Sequence, residues 1–500
     1  MRRRNFCRAA LTGAALTPTF GSQTLASVYA GLLKVDRDLE AITRNGGEQI
    51  LAQTHVQSLA DSLRGNLLLP GNAAYESARL VLNASIDKHP ALIVQPTGPA
   101  DIGSAINFAR DNSLVVAVKC GGHSYSGRST CNGGLMIDLS TFRNVRIDLP
   151  NQSAFVTGGS LLGQLDHESM AVGMVTTAGT VSHTGVGGLT TAGGFGRVGR
   201  RFGLALDNVK SVDVVSADGH LRHASAQENP DLYWAVRGGG GNFGVVTNFE
   251  FQLHPMARQV IGGSLVYPIE KLRDLLDIYA QYSPRSPDEL YTDLVAVYPH
   301  GGKPGVAILD ICWSGDAAAY DKAMQPYQAL GDPLVKGVKA VDYVALQRSG
   351  DSTDARSWAS YLKGGFIEGF KPGLIDSMVD AMEPHPDRST IVIFQHSGGA
   401  INQVAADATA FPHRYASHNL IAMVAWRQGT PTEGHVRYIK SLWSQLQPFT
   451  HGYYTVEVDD DHDLGAMNRN YQANYPRLAG IKKQYDPQNM FRLNSNVTPA

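Results

Sequence analysis

"VVAVKCGGHSYSG" runs from Val115 to Gly127. With Leu114 before it, the run Val115 to Val118 is apolar and short enough for a buried strand. Two adjacent glycines then mark a tight turn, where backbone comes close to something else. His123 follows them directly. A glycine turn alone is a weak signal, so the surrounding chain has to supply what approaches His123.

Upstream, Ala91-Leu-Ile-Val is a short strand closed by Gln95-Pro96-Thr97-Gly98, and Ala100 to Asp111 has helical periodicity through Ile102, Ile106, Phe108 and Ala109. Strand, helix, strand over about 30 residues reads as α/β packing. Downstream, Leu135-Met-Ile-Asp-Leu and Ser153-Ala-Phe-Val-Thr are further strands, and Gly163 to Ala171 resembles a helix. Val209 to Ser216 and His220-Leu-Arg-His flank Asp218-Gly219, a hairpin signal. An alternating strand from Asn242 to Leu253 ends this region.

After His254-Pro255 the glycine turns thin out. Helices (Glu270 to Ser283, Pro372 to Met382, Thr432 to Leu446) alternate with strands (Leu294 to Val297, Gly305 to Ile311, Thr390 to Gln395, Leu420 to Trp426). This texture predicts a separate α+β unit, a sheet backed by helices. From about Ala466 a helix leads into Tyr485-Asp-Pro-Gln-Asn-Met-Phe.

A chain of 500 residues exceeds what one core organises, which predicts two domains. Net charge is -2 with no basic block, which argues against nucleic acid as a partner. The 53 glycines concentrate between Cys120 and Gly244, as expected for backbone wrapped around a large ligand. Arg2-Arg3-Arg4-Asn5-Phe6, an apolar stretch from Ala9 to Phe20 and small residues around Ala26 and Ala30 predict an export signal over residues 1–30, of twin-arginine type. No other stretch approaches the roughly 20 apolar residues of a membrane span. The cysteines are Cys7, Cys120, Cys131 and Cys312, with no CxxC and no zinc-type pairing, so no metal is expected. Spacing leaves a Cys120–Cys131 disulfide and two free thiols equally open. Oligomeric state is not legible.

The second decisive stretch is Gly179 to Gly203, GTVSHTGVGGLTTAGGFGRVGRRFG, with nine glycines. That is too many for a helix or strand to carry without purpose. Glycine here lets backbone N–H groups face a phosphate or a flat ring. The stretch is not a dinucleotide fingerprint, since no βαβ unit and no acidic ribose partner accompany it, and a Walker lysine is missing.

Lys119-Cys-Gly-Gly-His-Ser, Gly179 to Gly203, Leu206-Asp-Asn-Val, Trp234-Ala-Val-Arg-Gly-Gly-Gly-Gly-Asn-Phe-Gly-Val-Val-Thr, Phe411-Pro-His-Arg and Tyr485-Asp-Pro-Gln-Asn-Met-Phe-Arg occur in this order. Together they resemble the berberine-bridge-enzyme-like FAD-linked oxidases of the vanillyl-alcohol-oxidase (PCMH-type) fold, from roughly Asn83 to the C-terminus. The resemblance implies an α+β, two-domain FAD-binding fold with a substrate domain on an antiparallel sheet backed by helices. The implied boundaries are 60–258 and 456–500 for the FAD-binding domain and 259–455 for the substrate-binding domain.

It also implies roles. Lys119 to Ser124 would hold the FAD pyrophosphate on backbone N–H groups, and His123 would bond covalently to the flavin 8α-methyl. Further FAD contacts are expected at Cys120, Gly121, Gly122, Gly127, Gly179, Thr180, Thr184, Gly185, Gly188, Gly193, Gly196, Asn208, Gly244, Val246, Asn474 and Asn494. Many relatives add a cysteine link in the glycine segment. Val181 stands at that position, so a singly attached FAD is expected.

The catalytic end departs from the plant pattern. Phe195 replaces a tyrosine after the glycine run, and Leu420 and Ala422 stand where a polar base is expected. Glu457 matches another tyrosine and becomes the candidate base for an alcohol proton while hydride moves to the flavin. Its alternative is a solvated place in the acidic run Glu457 to Asp463. Tyr454, His396, Tyr361 and His413 are the reserves, with His413-Arg414 better read as fixing an element that joins the domains. Thr184 at the oxygen-gating position favours an oxidase that makes hydrogen peroxide. A dehydrogenase using a quinone or protein acceptor and a non-catalytic flavin- or carbohydrate-binding protein stay open. The expected partners are oxygen and a small-molecule substrate: a sugar, phenolic or secondary-metabolite alcohol, or an amine.

Overall fold

A computed structural model describes residues 34–351, 355–458 and 464–500. The expected export signal and Cys7 lie outside the described residues.

The first sheet has four strands in the spatial order Asn66–Leu68, Leu92–Gln95, Leu135–Asp138, Val116–Lys119. The last three run parallel, joined through helix Pro99–Asp111. Leu92, Ile93, Val94, Leu135, Met136 and Ile137 are all buried, because both faces of this sheet are covered. A five-stranded antiparallel sheet follows, in the order Leu221–Ser225, Val209–Val215, Val245–Gln252, Ser153–Thr157, Val145–Asp148. The expected hairpin forms, with Gly219 in its turn at φ +80°. Helix Tyr475–Tyr485 packs into this sheet's core through Leu478, Ala479 and Ile481, and Met490 and Phe491 enter the core of the first sheet.

Lys482 pins that C-terminal return. Its buried Nζ donates to Asp486 Oδ2 (2.6 Å), the Asn242 carbonyl (2.7 Å) and the Phe491 carbonyl (2.9 Å). A buried ammonium is tolerable only when paired and hydrogen-bonded in this way.

Past Gln252 the chain enters an eight-stranded antiparallel sheet in the order Val335–Lys336, Gln259–Pro268, Val306–Trp313, Leu290–Tyr298, Arg388–His396, His418–Arg427, Trp358–Ile367, with Lys339–Asp342 also on Gln259–Pro268. Four strands here escape the sequence reading: the short Val335–Lys336 and Lys339–Asp342, and Gln259–Pro268 and Trp358–Ile367, in which Gly262-Gly263 and Gly364-Gly365 look like turns. Their purpose is close approach. A Cβ on Gly263 would lie 2.4 Å from the Gly337 carbonyl oxygen, and one on Gly365 2.7 Å from Thr450 Cβ.

Helices Leu272–Tyr282, Leu374–Ala381 and Glu433–Leu446 cover one face of this sheet. Leu294, Leu309, Phe394, Leu420, Ala422 and Trp426 point into that helical layer with Leu275, Met378 and Leu442. Side chains alternate across a strand, so the intervening residues face the other way. That second face looks toward the two smaller sheets.

The glycine segment carries short helices whose glycines have a packing purpose. Helices Val186–Ala192 and Gly199–Phe202 form within it despite its composition. Gly187 sits in the first because a Cβ there would lie 2.8 Å from the Gly158 carbonyl oxygen. Among the described residues no helix is long and apolar enough to cross a membrane.

Candidate active site

A cleft of about 340 Å³ opens between the two smaller sheets and the uncovered face of the large one. Backbone forms most of one wall. After strand Val116–Lys119, Gly122 turns at φ +70°, and the loop Cys120–Ser129 runs along the cleft. A Cβ on Gly121 would lie 2.4 Å from Gly185 N, and one on Gly185 would lie 2.5 Å from Cys120 Sγ. The two glycine motifs therefore require each other: each is glycine because the other's backbone occupies the side-chain space.

Of the residues expected to meet the cofactor, Cys120, Gly121, Gly122, His123, Ser124, Gly179, Thr180, Thr184, Gly185, Gly188, Gly244, Val246 and Asn494 line this cleft. Others stand elsewhere. The Lys119 ammonium turns inward to the Ala78 carbonyl and to Asp138 (3.4 Å), because a strand residue before the turn alternates away from the cleft. Asn208 caps its own turn, donating to the Phe202 and Leu204 carbonyls at 2.9 Å, and its Oδ1 meets His254 Nε2 at 2.6 Å. Asn474 donates to the Ala406 and Thr409 carbonyls. Gly127, Gly193 and Gly196 are packing glycines: Cβ atoms on them would meet Ile86, Tyr454 and the Ala178 carbonyl oxygen at 2.5, 3.0 and 1.6 Å.

The chemistry of this wall fits FAD. Gly188 and Gly240 would project a Cβ into open space, so any side chain there would fill the cradle. Ser129 and Asn494 line the cleft, and Ser129 Oγ and Asn494 Oδ1 are buried without a hydrogen-bond partner among the described residues. Buried polar atoms are rarely left unmatched, and a ligand rich in donors and acceptors would match them. Arg128 adds a cation to the same wall.

His123 projects from the turn into the cleft. Its Nε2 lies 2.6 Å from His183 Nδ1, and Thr184 Oγ1 lies 3.4 Å from its Nδ1. Burial, then the neighbouring His183, pushes His123 down to about 3, so its ring is neutral at ordinary pH. Cys120, Cys131 and Cys312 are free thiols, which settles the pairing left open above.

The opposite wall presents side chains. Glu457 Oε2 accepts from Asn419 Nδ2 at 2.7 Å, and the same amide donates to Gln395 Oε1 at 3.1 Å. Burial, reinforced by the Asp293 charge, pushes the Glu457 carboxyl up to about 7 against the Asn419 bond. Tyr125 stands across from it, its phenol pushed up to about 12 by burial and by the Glu457 charge. Tyr454 lines the cleft too, but its hydroxyl is engaged with Gly194 N (2.8 Å) and the Leu189 carbonyl (3.3 Å). Phe195 packs edge-on against Tyr454 and Phe411.

Three expectations on the large sheet fall on its wrong face. His396 points into the helical layer, its Nε2 2.9 Å from the Ser283 carbonyl oxygen, while Gln395 beside it reaches the cleft. Tyr361 packs on the helix side near Lys440. Leu420 and Ala422 are core residues, and the cleft-side position of that strand is Asn419. A shift of one residue exchanges the faces of a strand. His413 is sealed against Phe366 and Tyr415, and Arg414 forms a bidentate pair with Asp207 at 2.7 Å.

The site residues absent from the sequence reading include His183, Arg128, Ser129, Tyr125, Gly240, Gln395 and Asn419. His183 stands in plain view within the glycine segment. Gln395 and Asn419 carried a usable signal as amides inside otherwise apolar strands.

Residues 90–225 match the family described as FAD binding domain, and residues 460–498 match berberine and berberine like. An FAD-linked oxidoreductase of Dictyostelium discoideum is 30% identical over 468 residues, covering 92% of this chain and 99% of that one. The (R)-6-hydroxynicotine oxidase of Paenarthrobacter nicotinovorans is 26% identical, covering 88% and 97%. A solved chitooligosaccharide oxidase, 23% identical, superposes with a TM-score of 0.80 over 89% of this chain and 100% of that one. Two family matches bracketing the cleft, full-length likeness to an FAD-linked relative and a glycine cradle shaped for the cofactor converge: the chain belongs to the berberine-bridge-enzyme-like FAD-linked oxidoreductases.

Proposed function

We propose that this protein is an FAD-dependent oxidase that removes hydride from an alcohol or amine carbon, with FAD attached once, through His123, and Glu457 as the base. One observation carries the reading. Glu457 is a cleft carboxyl held near pKa 7, hydrogen-bonded to Asn419, on the wall facing the cofactor cradle. A base titrating near working pH has both the right protonation state and enough driving force to take a proton.

Backbone of Cys120 to Ser124, Gly187, Gly188, Gly240 and Gly241, with Arg128, Ser129 and Asn494, would hold FAD. FAD bound there supplies the hydride acceptor, and dioxygen takes the electrons away as hydrogen peroxide. Glu457, as carboxylate, accepts the hydroxyl or amine proton, and Asn419 orients it. Tyr125 and Gln395 supply hydrogen bonds to substrate, while Phe195 and Tyr454 exclude water from that end. The small side chain of Thr184 supports oxygen access. Val181 has no thiol for a second link. Sugar and nicotine derivatives are the substrates named for the relatives above, and hydroxyl- or amine-bearing ring compounds are the class proposed here. The basic start and apolar stretch of residues 1–30 support export.

The test is an intact-mass spectrum of the unfolded chain followed by anaerobic mixing with an alcohol and amine panel. Flavin should stay on the chain, bleach with a substrate and recolour quickly in air. Flavin lost on unfolding sinks the covalent link, and slow recolouring in air points to a dehydrogenase.

A further inference from the structure

The imidazoles of His123 and His183 form a contact that the oxidation chemistry leaves unused. His123 Nε2 lies 2.6 Å from His183 Nδ1, with ring centroids 4.6 Å apart and planes at 39°. Two ring nitrogens this close share one proton. We infer that His183 is the base that drives attachment of the flavin to His123, and that it directs the new bond to His123 Nδ1. This rests on the covalent reading proposed above.

A neutral imidazole has one N–H and one lone pair. With the proton of the pair on His123 Nε2, the lone pair of His123 is on Nδ1, the ring nitrogen that does not face His183; Thr184 Oγ1 lies 3.4 Å from Nδ1 and 3.5 Å from Nε2. Attack by that lone pair leaves the ring cationic until Nε2 gives up its proton. Burial disfavours a cation there, as the depressed basicity of His123 attests. His183 Nδ1 is the acceptor within hydrogen-bond distance. The nearby carboxylate is Asp351, which is occupied by Ser182 N (2.9 Å) and Ser182 Oγ (2.5 Å) and carries the countercharge for a protonated His183. The far nitrogen of His183, Nε2, is buried with no hydrogen-bond partner among the described residues.

Attachment removes one hydrogen from the flavin 8α-methyl and one from His123 and forms the C8α–Nδ1 bond. The two electrons released into the flavin ring pass to dioxygen, which leaves with both protons as hydrogen peroxide. His183 carries the imidazole proton away from the developing bond.

The experiment starts from full-length apoprotein made under riboflavin starvation, mixed with FAD in air and followed by the mass of the unfolded chain. Wild type gains one FAD. His183→Ala and His183→Gln bind FAD by flavin-fluorescence quenching but attach it about 100-fold more slowly or not at all. Added imidazole restores part of the rate to His183→Ala, which a merely structural defect would not allow. The Gln variant keeps a polar side chain of similar reach without a base, and so covers an Ala variant that folds poorly. The flavin peptide from wild type carries the link on Nδ1 by NMR. If wild type attaches FAD and His183→Gln attaches it as fast, or the link is on Nε2, the role of His183 is overturned alone. If wild type never gains the mass, the covalent reading falls and this inference with it.

Discussion

The glycine wall presents backbone to the cleft, whereas the opposite wall presents side chains. On the first, identity and position are one fact. Gly121 and Gly185 must be glycine because each fills the other's Cβ space. On the second, a polar residue matters only if its strand turns it toward the cleft. Gln395 does and His396 does not, although they are neighbours in one strand. A ligand held by backbone thus leaves a dense sequence signature, and one held by side chains leaves a sparse one.

The largest expected effect comes from breaking the backbone wall. Gly121→Ala drives a methyl into Gly185 N and should cost about 3 kcal/mol with loss of bound flavin, read by thermal melting and flavin absorbance. If the variant keeps both, the two motifs do not interlock as described. Next comes Glu457→Gln, which should keep FAD and lower the rate of anaerobic flavin reduction about 100-fold or more. A rate near wild type would move the base elsewhere.

A pH profile sharpens the same wall. Activity that needs the Glu457 carboxylate falls as pH drops through about 7. The Asn419 amide favours the charged form, so Asn419→Leu removes that support and should move the acidic limb to higher pH. An unmoved limb would mean that another group sets it. The smallest effect is expected on the far face of the sheet. Tyr361→Phe should leave the flavin-reduction rate within about twofold of wild type. A large loss there would erase the contrast between the two faces.

Much of the first wall was legible before the structure. The strand Val115 to Val118, the turn at Gly121-Gly122 and the glycine segment announced a loop built around a large ligand. The other wall is legible as strands, yet Leu420 and Ala422, which stand where a polar base is expected, face the helices, and Asn419 faces the cleft side. Period-two alternation says that two faces exist; it does not say which one the helices cover. Lys119 and Asn208 misled for a related reason: they lie within the motifs but spend their polar groups on neighbouring backbone and on Asp138 and His254.

By itself, the amino-acid sequence determined the backbone cradle, the family and His123 at its rim, since glycines and short apolar runs encode local geometry directly. It takes the packed fold to bring His183 against His123 and to let the buried Asn419 tie Glu457 to Gln395 at the cleft. Those contacts join residues 24 to 60 positions apart, and whether they form depends on how three sheets pack. Packing is a property of the whole chain, and no single stretch of it records the result.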